Sequence, residues 1–171
     1  MIDYLRQRRS VRKYTDQPIA PEKIDVLKEA VLRSPTSRNF DPWEFIFVDD
    51  KPILEQLSRS KPHGAGFLKN AALGIVSCAD VSKSDVWVED CAIASIMAQL
   101  TAQSLGLGSC WVQIRKRHHN DTTSEAYIRK LLNLSDNIRV LSIIAIGYPA
   151  EHPAPKPADE LKPKKIHHNQ W

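Results

Sequence analysis

The order of apolar and polar positions along the chain predicts a mixture of strands and helices. Three apolar segments have the length of core strands, and they lie at residues 44–50, 71–80 and 139–149. The last two are nearly continuous apolar runs, which are typical of strands covered on both faces. Apolar residues at helical spacing predict amphipathic helices at residues 20–34 and 123–134, and Pro21 suits the first turn of the earlier helix.

A third predicted helix, residues 85–106, is apolar almost all the way round. It is rich in small residues such as Ala94 and Ala98, and Gly106 provides a natural C-terminal stop. A helix with this pattern must be buried nearly all round, and a chain of this length rarely encloses a helix of about six turns alone. We therefore predict a homodimer built on this helix, with a central core helix of a monomer as the alternative.

Composition narrows the class of protein further. The 171 residues are 42% apolar and 26% charged, as in a globular rather than a disordered protein, and they suffice for one hydrophobic core. We expect a single domain over residues 1–171, with an extended, proline-rich C-terminal segment at about 152–171. With no signal-like N-terminus and no membrane-length apolar run, a cytoplasmic protein without membrane association is expected.

Cysteine and histidine spacing does not predict a metal site. Cys78, Cys91 and Cys110 lack CxxC spacing and lie in apolar contexts, where a buried reduced thiol is the usual state. The six histidines form no HExxH pattern. We therefore expect no bound metal.

The stretch "RQRRSVRK", residues 6–13, places five cations among eight residues. If residues 8–12 are extended, Arg8, Ser10 and Arg12 share one side and Arg9 takes the other. Two guanidiniums flanking a hydroxyl suit a phosphate group. The alternatives are a solvated basic helix end and a nucleic-acid-binding arm. Ser10 and the following Tyr14 do not fit a simple basic arm.

Four blocks of the chain resemble the FMN-dependent nitroreductase family. They are "RRSVRKYTDQPI" (8–19), "SPTSRNFDPWEFIFV" (34–48), "LGLGSCWVQI" (105–114) and "AIGYPAEHPAPKP" (145–157), the last together with the terminal "IHHNQW". The blocks follow the family's order and span nearly the whole chain. The resemblance implies an α+β fold in which a central, mainly antiparallel mixed sheet is surrounded by helices. It also implies a dimer formed through long buried helices and exchanged C-terminal segments, with two FMN sites at the interface.

The resemblance also implies which residues bind the cofactor. Arg8 and Ser10 match the positions at the phosphate and ribityl end, Arg9 is a further contributor, and Arg12 matches a cation at the pyrimidine edge of the ring. The resemblance implies that the other protomer supplies Pro35, Thr36, Ser37 and Asn39. It also implies that the stretch 108–113 runs past the ring, with Trp111, Val112 and Gln113 nearest to it. Lys156 matches a basic phosphate ligand, whereas Ala158 replaces a second cation found in one common pattern of the family.

The function implied is FMN-dependent oxidoreduction. A hydride from NAD(P)H would pass through flavin N5 to a nitroaromatic, a quinone or another conjugated acceptor in a ping-pong cycle. Because the cofactor carries this chemistry, no dedicated catalytic side chain is expected. The alternatives are a flavin-binding storage or sensing protein without efficient turnover, and a basic nucleic-acid-binding module.

Overall fold

A computed structural model describes all residues from 1 to 171. The helices are α1 (Ile2–Gln7), α2 (Pro21–Leu32), α3 (Lys51–Ser58), α4 (Trp87–Ser104) and α5 (Ser124–Leu131). The strands are β1 (Trp43–Val48), β2 (Leu73–Asp80), β3 (Gly108–Gln113), β4 (His118–His119), β5 (Thr122–Thr123) and β6 (Ile138–Gly147). None of the helices combines the length and hydropathy needed to cross a bilayer.

The main sheet has the strand order β1-β2-β6-β3, and every neighbouring pair is antiparallel. A short parallel bridge joins Ser10 to Ser109 at the β3 edge, so the sheet is mixed but mainly antiparallel. Apolar clusters cover both of its faces, as the continuous apolar character of β2 and β6 predicts. The predicted α+β architecture is confirmed.

Several short elements were not expected from the sequence pattern. The β3 strand is six residues long and begins Gly-Ser-Cys, which gives a weak strand signal, and α1 is too short for its periodicity to be recognised. The three predicted strands correspond to β1, β2 and β6, and the three predicted helices to α2, α4 and α5, with ends that differ by a few residues. The two-residue strands β4 and β5 were not predicted.

The α4 helix is buried on one side only. Ala94 and Ala98 are fully buried against the chain's own sheet, whereas Ile93 and Ile96 are 38% and 37% exposed. One chain therefore leaves this side of α4 uncovered, which contradicts the alternative of a central core helix in a monomer, and the homodimer built on α4 stays a prediction. A charge at Ala94 or Ala98 would disrupt the core of the protomer, so the side chains that test the predicted dimer are Ile93 and Ile96.

The C-terminal segment, residues 152–171, lies almost entirely on the surface. It is extended except for two short 3₁₀ turns at Ala158–Glu160 and Pro163–Lys165. The Arg9 guanidinium donates a hydrogen bond to the Ala154 carbonyl and so fixes the beginning of the segment. Three large apolar side chains beyond this point are exposed, namely Leu161, Ile166 and Trp171.

Candidate functional site

The arginine segment, residues 8–12, runs beside the first residues of β3. The Val11 amide donates to the Ser109 carbonyl at 3.0 Å, next to the bridge between Ser10 and Ser109. This close approach requires glycine at position 108, because a Cβ there would lie 2.8 Å from Cβ of Val11. Gly108 therefore sets how near the segment lies to the sheet.

The far end of the arginine segment is held by the chain around residue 150. The Tyr14 side chain is buried, and its hydroxyl donates to the Val11 carbonyl at 2.6 Å. The Ala150 amide donates to the Lys13 carbonyl at 2.9 Å, while a Glu151 carboxylate oxygen accepts from the Arg12 amide at 2.6 Å. The backbone of the segment is therefore bonded to the rest of the protein at both ends.

The arginine side chains divide between two sides of the segment. Arg9 is turned towards the C-terminal segment, where it binds the Ala154 carbonyl. Arg8, Ser10 and Arg12 all lie near the buried thiol of Cys110: Ser10 forms a hydrogen bond with it, and both guanidiniums influence its pKa. The predicted alternation is therefore present, and Arg8, Ser10 and Arg12 form one group.

The surroundings of Cys110 are positively charged. Burial raises the pKa of the thiol above its usual value, whereas Arg12, the hydrogen bond from Ser10, Lys61 and Arg8 oppose that rise. None of these cations forms an ion pair with a carboxylate. The protonated thiol is a packing group, and the unpaired cations leave a region suited to an anion.

Beyond Ser109, where the arginine segment pairs with it, the outer backbone edge of β3 has no neighbouring strand. The Ser109 carbonyl points away from β6, since it accepts from Val11, and strand geometry turns the backbone groups of Trp111 the same way. The Trp111 indole donates to the Gln113 side chain at 2.9 Å, and that carboxamide donates to the Arg115 carbonyl at 2.9 Å. These two side chains are engaged with each other, and Val112 is fully buried, so this strand can offer a ligand mainly its backbone.

The second group of predicted site residues lies in the loop after α2. Thr36 and Asp41 brace the loop through a 2.8 Å bond between their side chains. Between them, Ser37 donates its amide to the Asp90 carboxylate at 2.9 Å. Asn39 is exposed at the tip, as is Pro35 at the start. The loop thus presents polar groups outward from the N-terminal end of α4.

The two groups do not meet within one protomer. Val11 and Gln103 line the same small cavity near the C-terminal end of α4, whereas Ser37 is bonded to Asp90 near its start. The 13 residues from Asp90 to Gln103 correspond to about 20 Å of helix. Lys156 is exposed and makes no hydrogen bond or ion pair. One chain therefore brings Arg8, Ser10, Arg12 and the β3 edge together, and leaves the loop near the other end of α4.

Three residues near the arginine group were not expected from the sequence. Lys61 lies close enough to Cys110 to affect its pKa, and partial burial together with Arg117 lowers the pKa of Lys61 itself. The Arg12 guanidinium lies 6.0 Å from the centre of the Phe67 ring. Nothing in the local sequence around Lys61 or Phe67 marks them, because they approach through tertiary folding. Glu151 could have been identified from the sequence, because it lies in the fourth block that resembles the family, residues 145–157.

Similar proteins identify the family to which the chain belongs. The model of the nitroreductase family matches residues 5–63 and 54–148. The solved structure of an FMN-dependent nitroreductase from Clostridium difficile R20291 is 44% identical, with a TM-score of 0.98 and complete coverage of both chains. A protein of Archaeoglobus fulgidus named "Putative NADH dehydrogenase/NAD(P)H nitroreductase" is 36% identical over 96% of this chain and 94% of its own.

A more distant relative carries a more specific name. The FMN reductase [NAD(P)H] of Bacillus subtilis is 28% identical over 99% of this chain and 73% of its own length. The matches cover the arginine segment, the loop at residues 35–41 and β3 alike. On these findings, the chain belongs to the nitroreductase family.

Proposed function

We propose that this protein is an FMN-dependent NAD(P)H oxidoreductase. The observation that carries the proposal is the arginine group, in which Arg8, Ser10 and Arg12 face one region beside the free edge of β3. The relatives named as FMN-dependent nitroreductase and FMN reductase support the same cofactor and the same class of donor.

The residues present fit FMN. Two guanidiniums that form no ion pair with a carboxylate, together with a hydroxyl, offer several donors, which suits a phosphate group and the polar ribityl chain. The backbone edge at Trp111 is unpaired and can lie against a planar ring, and Gly108 keeps the two elements close. When bound, FMN would supply the redox chemistry, namely transfer of a hydride from NAD(P)H to a second substrate.

We infer that a second protomer completes each site. Within one chain the loop carrying Pro35, Thr36, Ser37 and Asn39 lies about 20 Å from the arginine group along α4. Exposed apolar side chains on α4 and on the C-terminal segment are available for contact with a partner. A dimer that covers Ile93 and Ile96 would bring the loop of one protomer towards the arginine group of the other.

The electron acceptor in this proposal is a nitroaromatic, a quinone or another conjugated electrophile. The chain's own residues bind and orient the cofactor, and Cys110 and Tyr14 are poor proton donors to a substrate, since both are buried with raised pKa values. We further propose that donor and acceptor use the same face of the ring in turn, as in a ping-pong cycle.

The direct test of the cofactor assignment is FMN binding by the purified protein. We expect a yellow protein, or one that becomes yellow on addition of FMN, and calorimetry should give about one FMN per chain because each arginine group forms one site. Circular dichroism serves as the control for folding. A folded protein that does not bind FMN would contradict the proposal.

A second prediction separates the roles of Arg8 and Arg12. Arg8 is assigned to the phosphate end, where the charge is the same in oxidised and reduced FMN, so Arg8→Ala should weaken binding of both forms alike. Arg12 is assigned to the ring edge, where negative charge develops only on reduction, so Arg12→Ala should lower the reduction potential. A charge-assisted hydrogen bond of about 1.5–3 kcal/mol corresponds to some tens of millivolts for a two-electron couple.

The measurement is a redox titration of both variants at saturating FMN. Lys13→Ala is the matched control, because its exposed side chain belongs to the same segment and makes no bond. Equal shifts for Arg8→Ala and Arg12→Ala, or no shift for either, would refute this division of roles.

A further inference from the structure

We infer that Asp90 is a positioning residue that acts in trans, fixing the loop through which one protomer completes the cofactor site of its partner. This inference rests on the proposed function, because it concerns the same FMN site. Asp90 does not touch the cofactor in this account. It acts through the loop at residues 36–41.

The backbone of the loop at residues 36–41 is strained, and contacts with its surroundings are needed to hold it. Arg38, Asn39 and Asp41 have φ values of 52°, 56° and 45°, in the left-handed region that non-glycine residues rarely occupy. Conformations of this kind persist only where surrounding contacts hold them. Thr36 and Asp41 provide one such contact across the loop, through bonds of 2.8 Å and 3.1 Å.

The contact that ties the loop to the rest of the protein is Asp90. Its side chain belongs to α4, is 2% exposed, and accepts from the Ser37 amide at 2.9 Å through one oxygen. The other oxygen accepts from the Ser84 hydroxyl at 3.3 Å. A buried carboxylate is costly unless its oxygens are bonded, so this arrangement strongly favours one position for Ser37.

The distance between the loop and the arginine group of the same chain is the reason to expect action in trans. Asp90 is near the start of α4, and the arginine group of the same chain is near the other end, about 20 Å away. Trp111 of β3 packs against the cluster that contains Cys91, so a change at Asp90 reaches the protomer's own arginine group only indirectly, through β3. If it changes FMN affinity with the fold intact, the affected site is the one that its loop enters.

The first measurement is FMN affinity of Asp90→Ala as a homodimer. We expect a loss of about 10- to 100-fold, with the dimer and far-UV dichroism retained. Asp90→Asn should recover most of the affinity, because its amide oxygen still accepts from Ser37. Ser84→Ala is the matched control, since it removes the longer bond to Asp90 and the 3.3 Å bond that the Ser84 hydroxyl accepts from the Val86 amide, but keeps the bond from Ser37, and it should have little effect.

The second measurement distinguishes a local structural role from action in trans. One protomer carries Arg8→Ala with Ser10→Ala, the other carries Asp90→Ala, and the heterodimer is purified through two different affinity tags. One of its two sites then combines an intact arginine group with an intact loop. We expect about one FMN per heterodimer at wild-type affinity, although each parent homodimer binds weakly.

The possible outcomes distinguish a failure of the inference about Asp90 from a failure of the proposed function. A heterodimer that binds no better than its parents would show that Asp90 acts within its own protomer's site, and would overturn this inference while leaving the proposed function intact. Wild-type protein that fails to bind FMN would instead refute the proposed function itself. Unchanged affinity in the Asp90→Ala homodimer would also overturn the inference.

Discussion

Ile96→Asp is expected to convert the protein to folded monomers that no longer retain FMN. Ile96 projects from α4 on the side that the chain's own core does not cover, and 37% of it is exposed. Full burial of an isoleucine contributes about 1.5–3 kcal/mol, of which only the exposed third or so remains to be gained in a dimer, and a two-fold interface contains the position twice. An aspartate there also brings an unpaired charge into the contact. Together these losses amount to at least about 4 kcal/mol, or roughly a thousandfold weaker association.

Sedimentation equilibrium with parallel flavin absorbance is the appropriate measurement. Ala126→Asp is the matched control, because it places the same charge on an exposed position of α5, away from α4. We expect the control to remain a dimer with FMN bound. If Ile96→Asp is monomeric and still retains one tightly bound FMN per chain, the site does not need a second protomer.

Gly108→Ala should reduce FMN affinity by about two orders of magnitude without dissociating the dimer. The new Cβ would lie 2.8 Å from both Cβ and Cγ1 of Val11, closer than packed carbon atoms approach. Overpacking of this kind costs about 1–3 kcal/mol and is relieved by moving the arginine segment away from β3. Arg8, Ser10 and Arg12 would then lose their alignment with the strand edge together.

Calorimetric FMN titration checks this result, with Gly66→Ala as the control. A Cβ at Gly66 would meet no atom within 4 Å, and the backbone of Gly66 lies outside the left-handed region. Gly66→Ala should therefore leave the FMN affinity almost unchanged. If Gly108→Ala binds FMN as tightly as wild type, the close approach of the segment to β3 is not what forms the site.

Much of the fold could be predicted because its signals are local. β2 and β6 are long apolar runs, and α2 has Pro21 at its start and Leu27 and Val31 on its buried face. β3 lacked such a signal, since its short Gly-Ser-Cys start is stabilised by pairing with β6 rather than by propensity. The α4 pattern indicated a helix that one chain does not enclose, and only the structure shows which side is left open: small residues such as Ala94 mark the face buried within the protomer, and larger ones such as Ile96 remain outside.

The candidate site was predictable to the extent that neighbours in sequence form it. Alternation alone separated Arg9 from Arg8, Ser10 and Arg12, and the structure shows the same division. Lys61 and the clamp between Ser37 and Asp90 depend on residues far apart in the chain, so no spacing rule could reveal them. The glutamate and aspartate that interrupt the apolar helix at Glu89 and Asp90 were a visible irregularity, and only the fold shows that the buried one holds a loop.

Anaerobic reduction of the FMN-loaded protein tests the central claim most directly. NADH or NADPH is added to the sealed protein, the visible flavin absorbance is followed, and a quinone or nitroaromatic is added after the excess nicotinamide has been removed. The account predicts that about one equivalent of nicotinamide per chain bleaches the flavin before any acceptor is present, and that the acceptor restores the colour. Flavin that is bound but stays oxidised with both nicotinamides would contradict the account and favour a storage or sensing protein.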